Sequence, residues 1–168
     1  MHKLGIKYIK YDEKMSSKEH RELEHTVAHA LLKDMLMEHF GIDNPTILKT
    51  ENGKPYVDTE GVHFSISHTC GLAACVVADT PVGVDCEVVA TKAPYEIQKF
   101  AKRFFVENEI SLLEKGGFSS LDFFKIWTGK EAVIKKLGSN MSDLRIIDTT
   151  KESLIYSYEK EYIICINV

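Results

Sequence analysis

A chain of 168 residues is one domain or two small fused halves, and it is long enough to bury a real core. Its hydrophobic fraction of 44% is that of an ordinary globular protein, and no apolar run approaches the length of a membrane span. A formal net charge of -4 argues against a nucleic-acid ligand, and residues 1–10 alternate charge with apolarity and lack a signal-peptide core.

Residues 3–9 alternate, with Leu4, Ile6 and Tyr8 on one side, and read as an edge strand. Ser16 stands three residues before Glu19, the spacing of a capping box, and opens a long helix. Leu23, Val27, Ala30, Leu31, Met35 and Phe40 give that helix its apolar face, and Gly41 ends it. His25 and His29 are four apart on it, but no third metal ligand stands near them in sequence. Residues 46–55 form a connection, in which Lys54 projects between Gly53 and Pro55. Residues 62–67 alternate, Val62, Phe64 and Ile66 one way and His63, Ser65 and Ser67 the other, and His68 closes the strand. Residues 72–78 are a continuous apolar strand, and residues 82–88 return beyond the Asp79-Thr80-Pro81 turn, which predicts an antiparallel hairpin.

Asp85 and Glu87 are two apart in that returning strand and share a face, while Val84, Cys86 and Val88 take the other. Two like charges side by side repel unless the face is exposed or a cation compensates. Residues 94–114 read as helix with a break near 106–108. Residues 123–138 form a second strong helix, with Phe123, Ile126, Trp127, Val133, Ile134 and Leu137 on one stripe. Glu131 lies at the margin of that stripe, with Lys135 four residues on, so the two could form a plain surface ion pair. Lys130 falls among the apolar residues by helical phase, and is either a snorkelling stem or the partner of a buried acid. Residues 144–147, 153–157 and 162–168 read as strands. The order helix, strands, helices, strands predicts a repeated architecture, an α+β protein with halves at 1–89 and 90–168. Cys70, Cys75, Cys86 and Cys165 form no CxxC pair and suit free thiols in a reducing cytoplasm.

Three carboxylates, Asp85, Glu87 and Glu131, stand without Cys or His partners, a donor set that suits Mg²⁺ better than zinc. Mg²⁺ completes its shell with water and phosphate oxygens, and Lys54, His68 and Lys135 are candidate phosphate neighbours. The residues by themselves therefore suggest a magnesium site for a diphosphate ligand, with phosphoryl transfer as the natural chemistry.

Gly53-Lys54-Pro55, FSISH at 64–68, GVDCE at 83–87, RFF at 103–105 and WTGKEAVIK at 127–135 resemble, in order and spacing, the motifs of 4′-phosphopantetheinyl transferases of the surfactin-synthetase-activating type. The resemblance implies two similar α+β halves related by a pseudo-twofold axis, with coenzyme A in the cleft between them. It implies transfer of the phosphopantetheine arm of coenzyme A to a serine of an acyl or peptidyl carrier protein, with release of adenosine 3′,5′-bisphosphate. Carried over residue by residue, it makes Asp85, Glu87 and Glu131 the ligands of Mg²⁺, with Mn²⁺ the alternative. Glu131 becomes the base for the serine hydroxyl and Lys135 the group that steadies or protonates the departing phosphate. Lys54, Ser67, His68 and Lys135 become contacts of coenzyme A. Carrier docking falls on the helix with Lys99, Lys102, Arg103 and Phe104, whose cations and aromatics suit an acidic partner helix. The expected molecule is a cytoplasmic monomer with no nucleic-acid or membrane partner. Two departures stand out: His29 occupies a place where the family often has arginine, and Gly138-Ser139-Asn140-Met141 replaces a Gly-x-Gly-Leu turn. The competing readings are a catalytically inactive carrier-binding module on the same fold and a magnesium-dependent phosphohydrolase with water as nucleophile.

Overall fold

Four α-helices and three antiparallel sheets build the computed structural model, which describes residues 1–168. The class is α+β, as the sequence predicts. The first sheet has the order β1 (His2–Tyr8), β5 (Leu72–Ala78), β4 (His63–Thr69), so β1 is an edge strand as expected. Helix α1 (Ser17–Phe40) packs across it. Its N-terminus has the predicted capping box: the Ser16 hydroxyl accepts from the Glu19 amide at 3.3 Å, and the Glu19 carboxylate accepts from the Ser16 amide at 2.7 Å. Gly41 ends the helix in the left-handed region at φ 67°, where a side chain would be strained.

Every residue of β5 is buried, because each of its faces belongs to a different core. Cys75 and Val77 pack with Leu32, Met35 and Leu36 of α1, while Leu72, Ala74 and Val76 pack against the second large sheet. That is why its sequence is continuously apolar rather than alternating. A short hairpin, β2 (Ile47–Lys49) with β3 (Pro55–Val57), takes up most of the stretch that reads as a plain connection and runs two residues past it.

The second large sheet has the order β6 (Gly83–Val88), β8 (Tyr162–Asn167), β7 (Leu154–Glu159). This overturns the predicted hairpin: β5 is flanked by β1 and β4 and has no free edge, so β6 crosses over and pairs with β8, Asp85 opposite Cys165. The change of sheet therefore lies between Ala78 and Gly83, ahead of residue 89. Helices α2 (Pro94–Phe104) and α3 (Glu107–Lys115) break at Phe105 and Val106, close to the expected place. Helix α4 (Ser120–Leu137) packs on the second sheet. Phe123, Ile126, Val133 and Ile134 of its predicted stripe are buried, but Leu137 is 64% exposed because the last turn runs past the core. Residues 144–147 are not a strand: a 3₁₀ turn at Met141–Arg145 replaces it and buries Leu144 and Ile147 against α4. No helix is long and apolar enough to cross a membrane.

Candidate functional site

Strand β6 presents Val84 and Cys86 to the inter-sheet core, which leaves Asp85 and Glu87 together on the opposite face, the parity read from the sequence. Helix α4 lies unusually close over the start of this strand. A Cβ on Gly83 would stand 2.0 Å from the Ala132 carbonyl oxygen and 2.6 Å from the Lys136 amide, so only glycine permits the approach. The approach carries Glu131 and Lys135 over the two acids of β6.

The sequence suggested a Glu131–Lys135 pair, but the Lys135 ammonium instead lies 2.7 Å from Asp85 Oδ1. It also donates to Ser67 Oγ at 2.8 Å, and the Ser67 hydroxyl donates to Asp85 Oδ1 at 2.8 Å. Three elements, β4, β6 and α4, thus meet at one carboxylate. Asp85 is only 4% exposed, and its second oxygen, Oδ2, is buried without any partner. Ser65, on the same face of β4 as Ser67, accepts from the Val84 amide at 3.0 Å and fastens the two strands just upstream. Glu87 accepts from the Trp127 indole N–H at 3.2 Å.

Crowding of acids shows in their protonation. Burial, then the charge of Asp85, raises Glu131 to about 7, against a smaller opposing pull from Lys135. Glu87 is raised as well, by burial and then by Asp85, with Trp127 and Lys135 opposing. Burial works against the charge of Lys135, yet Asp85 outweighs it and holds the ammonium above its ordinary range. Asp85, Glu87 and Glu131 therefore fit a hard divalent cation by their all-oxygen chemistry and by the orphaned Asp85 oxygen, which a cation would satisfy. They are not drawn into a ligand cage, and no three acidic, His or Cys side chains converge closely enough to hold an ion. The His25 and His29 rings pack at 4.2 Å between centroids.

Beside this cluster a cleft of about 280 Å³ opens between β3, β4 and the end of α4, lined by Lys54, Phe64, Ser65, Lys135 and Gly138 among others. Lys54 comes from the loop between β2 and β3, and its ammonium donates to the Lys136 carbonyl at the end of α4. Burial, then Lys136, lowers the Lys54 pKa. Asn52 donates to the Gly138 carbonyl at 3.2 Å, so the 52–55 loop clasps the C-terminus of α4. His68 sits apart from the acids. It points from β4 toward α1, where its Nδ1 lies 3.1 Å from Glu24, a buried carboxylate that also accepts from the Tyr11 hydroxyl.

Lys130 resolves to the second of its two readings. It is completely buried and pairs with Glu109 of α3 at 2.7 Å. It donates also to the carbonyls of Leu144 at 2.8 Å and Ile147 at 2.5 Å. Glu109 was not visible in the sequence; the inward phase of Lys130 left a buried acid as one of two readings and did not say which acid. Lys99, Lys102 and Arg103 are exposed on α2, Phe104 is half-buried, and the Arg103 guanidinium lies 5.0 Å over the Phe104 ring rather than pairing with Glu107.

A protein-family model described as the 4′-phosphopantetheinyl transferase superfamily matches residues 81–162, the segment holding β6 and α4. The chain is 35% identical over 140 residues to a 4′-phosphopantetheinyl transferase, gsp, of Aneurinibacillus migulanus, covering 78% of this chain and 56% of that one. It is 33% identical over 130 residues to Sfp of Bacillus subtilis, covering 73% of this chain and 56% of Sfp. It is 31% identical over 140 residues to HetI of a Nostoc species, covering 77% and 57%. The chain thus spans a little over half the length of these curated relatives.

Proposed function

The chain belongs to the 4′-phosphopantetheinyl transferase superfamily, in its Sfp-like branch, and on that premise we propose that it moves the phosphopantetheine arm of coenzyme A onto a carrier-protein serine. The products are the holo carrier and adenosine 3′,5′-bisphosphate. The observation that carries this reading is the meeting of Asp85, Ser67 and Lys135, with Glu87 and Glu131 coupled to them by charge, beside a cleft between two helix-on-sheet halves. The pseudo-twofold relation and a boundary between two halves of one compact unit belong to the same proposal. Free cysteines, three of them buried, suit a reducing cytoplasm.

In this reading Asp85, Glu87 and Glu131 would hold Mg²⁺ or Mn²⁺. The ion, when bound, supplies neutralising charge for the diphosphate. Glu131 accepts the proton of the carrier serine, directly or through water. The serine oxygen forms a bond to phosphorus as the bond to the departing phosphate oxygen breaks. Lys135 steadies the negative charge that gathers on that oxygen. Lys54, Ser67 and His68 bind coenzyme A phosphates, Lys54 from the cleft and His68 from the α1 side of β4. Fixed charges aimed at spreading negative charge make electrostatic stabilisation the largest catalytic contribution.

Mass spectrometry of a panel of apo carrier proteins incubated with coenzyme A and Mg²⁺ tests the reading. A carrier gaining one phosphopantetheine arm is the expected result. Hydrolysis of coenzyme A with no carrier present would establish a phosphohydrolase instead, and carrier binding without modification an inactive module.

A further inference from the structure

Asp85 is nine-tenths buried, but only half of it is satisfied. Oδ1 receives both the Lys135 ammonium, at 2.7 Å, and the Ser67 hydroxyl, at 2.8 Å. Oδ2 has nothing. Lys135 and Ser67 are themselves 2.8 Å apart, so the three side chains close a small ring of hydrogen bonds. With that ring closed, Asp85 offers its best oxygen to an ammonium and Glu87 is turned to Trp127. No metal cage exists in this arrangement. Lys135, by contrast, is not trapped. Its side chain is 29% exposed and lines the cleft, where a long flexible stem can carry the charge away from Asp85.

We propose that Lys135 is a resident counter-cation of the acid cluster, which a divalent ion displaces from Asp85 into the cleft. This rests on the reading of Asp85, Glu87 and Glu131 as metal ligands. An ammonium on Oδ1 and a divalent cation on Oδ2 of one carboxylate would stand only a few ångströms apart, and their mutual repulsion at that range is large in a buried site. Until the ion arrives, Lys135 keeps the most deeply buried of the three acids neutralised. When the ion takes over that duty, the ammonium is released beside the cleft, where a phosphate would lie. Ion binding and lysine placement are thus one coupled event, and the coupling is reciprocal: Lys135 weakens the ion by as much as the ion loosens Lys135.

Mn²⁺ binding without coenzyme A, followed by the electron paramagnetic resonance of the free ion, tests this on the whole chain. Wild type is compared with Lys135→Met, Ser67→Ala and Asp85→Ala, each checked for a cooperative melt. Lys135→Met is expected to bind Mn²⁺ about 5- to 150-fold more tightly, the usual span of a coupling between two sites. Ser67→Ala changes no charge and only loosens the grip on the ammonium, so it is expected to tighten Mn²⁺ by a smaller factor. In the wild-type chain labelled with ¹³C at lysine Cε, the Lys135 resonance, assigned by its loss in Lys135→Met, is expected to move on titration with Mg²⁺. Equal Mn²⁺ affinity in wild type and Lys135→Met overturns the proposal. So does tightening in Lys135→Met alone, with Ser67→Ala unchanged and the lysine resonance still, since repulsion at a distance would then suffice. Asp85→Ala separates the two levels. If it loses Mn²⁺ while Lys135→Met gains none, the displacement fails and the metal site stands. If it binds as wild type does, the metal-site reading fails with it.

Discussion

Helix α4 carries two lysines five positions apart, each 2.7 Å from a carboxylate, and the two pairs differ in nearly every other respect. Lys130 and Glu109 are both fully buried, and every polar atom in the pair is spoken for. The ammonium reaches two backbone carbonyls besides Glu109. The carboxylate accepts the Thr149 amide at 2.9 Å, the Thr149 hydroxyl at 2.7 Å and the Val106 amide at 3.0 Å. Lys135 lines the cleft, and its partner Asp85 is left with one carboxylate oxygen orphaned. A buried pair with all valences met fixes the loops around it, and here it ties α3 and α4 to the segment that holds Leu144, Ile147 and Thr149. A buried pair left partly unmet keeps free energy in reserve for a ligand. Charge and distance alone do not separate a structural ion pair from a functional one; the completeness of its hydrogen bonding does.

The sharpest way to break the comparison is to remove the ammonium of the satisfied pair. Lys130→Ala leaves Glu109 charged and enclosed, and is expected to cost about 3–5 kcal/mol of stability in urea unfolding. The double change Lys130→Met with Glu109→Met should restore most of that loss; failure to do so would mean the surrounding carbonyls and amides, not the pair, are the source. Asp85→Ala is expected to do the reverse. Transfer should fall by about 10²–10³-fold, while stability changes by about 1 kcal/mol or less because Lys135 can turn into the cleft. A large drop in melting temperature with residual transfer would move Asp85 into the structural class.

Glu131 sharpens the contrast through pH. Its carboxyl is raised from 4.5 to about 7, so the folded chain holds that proton more tightly than the unfolded one. Its contribution to stability is therefore present below about pH 4.5 and is lost as pH rises toward 7. Glu131→Gln removes this loss, and without divalent ions it should gain on the order of 1 kcal/mol at pH 8 and little at pH 4.5. A gain equal at both pH values would show a packing effect instead. The smallest effect is expected at the exposed cations of α2. Charge reversal at Lys99 and Lys102 should raise KM for an acidic carrier roughly three- to tenfold at low salt and leave coenzyme A affinity alone. Equal carrier kinetics would remove α2 from the docking surface.

The residues of the candidate site were more legible in the sequence than the fold around them. The two-residue spacing of Asp85 and Glu87 and the margin position of Glu131 are properties of a strand and a helix read locally, and both hold in three dimensions. Ser16, Gly41 and the break before Glu107 are local signals too. What failed was pairing at a distance. Nothing near β6 says that its partner is β8, and the turn at Asp79-Thr80-Pro81 favoured the wrong neighbour. Residues 144–147 are apolar enough for a strand, but the carbonyls of Leu144 and Ile147 are taken by an ammonium fourteen and seventeen residues away in sequence. For Lys135 the sequence offered only Glu131 as a possible ion-pair partner, because an i, i+4 acid is visible in sequence and a cross-sheet one is not.

The crossing of β6 into the second sheet governs when the site can exist during synthesis. The acidic strand emerges from the ribosome before any of helices α2, α3 and α4, but its hydrogen-bonding partner is Tyr162–Asn167, made after all of them. Until that strand has been made, Asp85 and Glu87 belong to a strand with no sheet. The same geometry dictates where the chain could be divided for fragment complementation. A cut between Asp79 and Val82 leaves the strands of each large sheet on one piece, whereas a cut after Val89 separates β6 from β8 and scatters the acids across the wrong fragments.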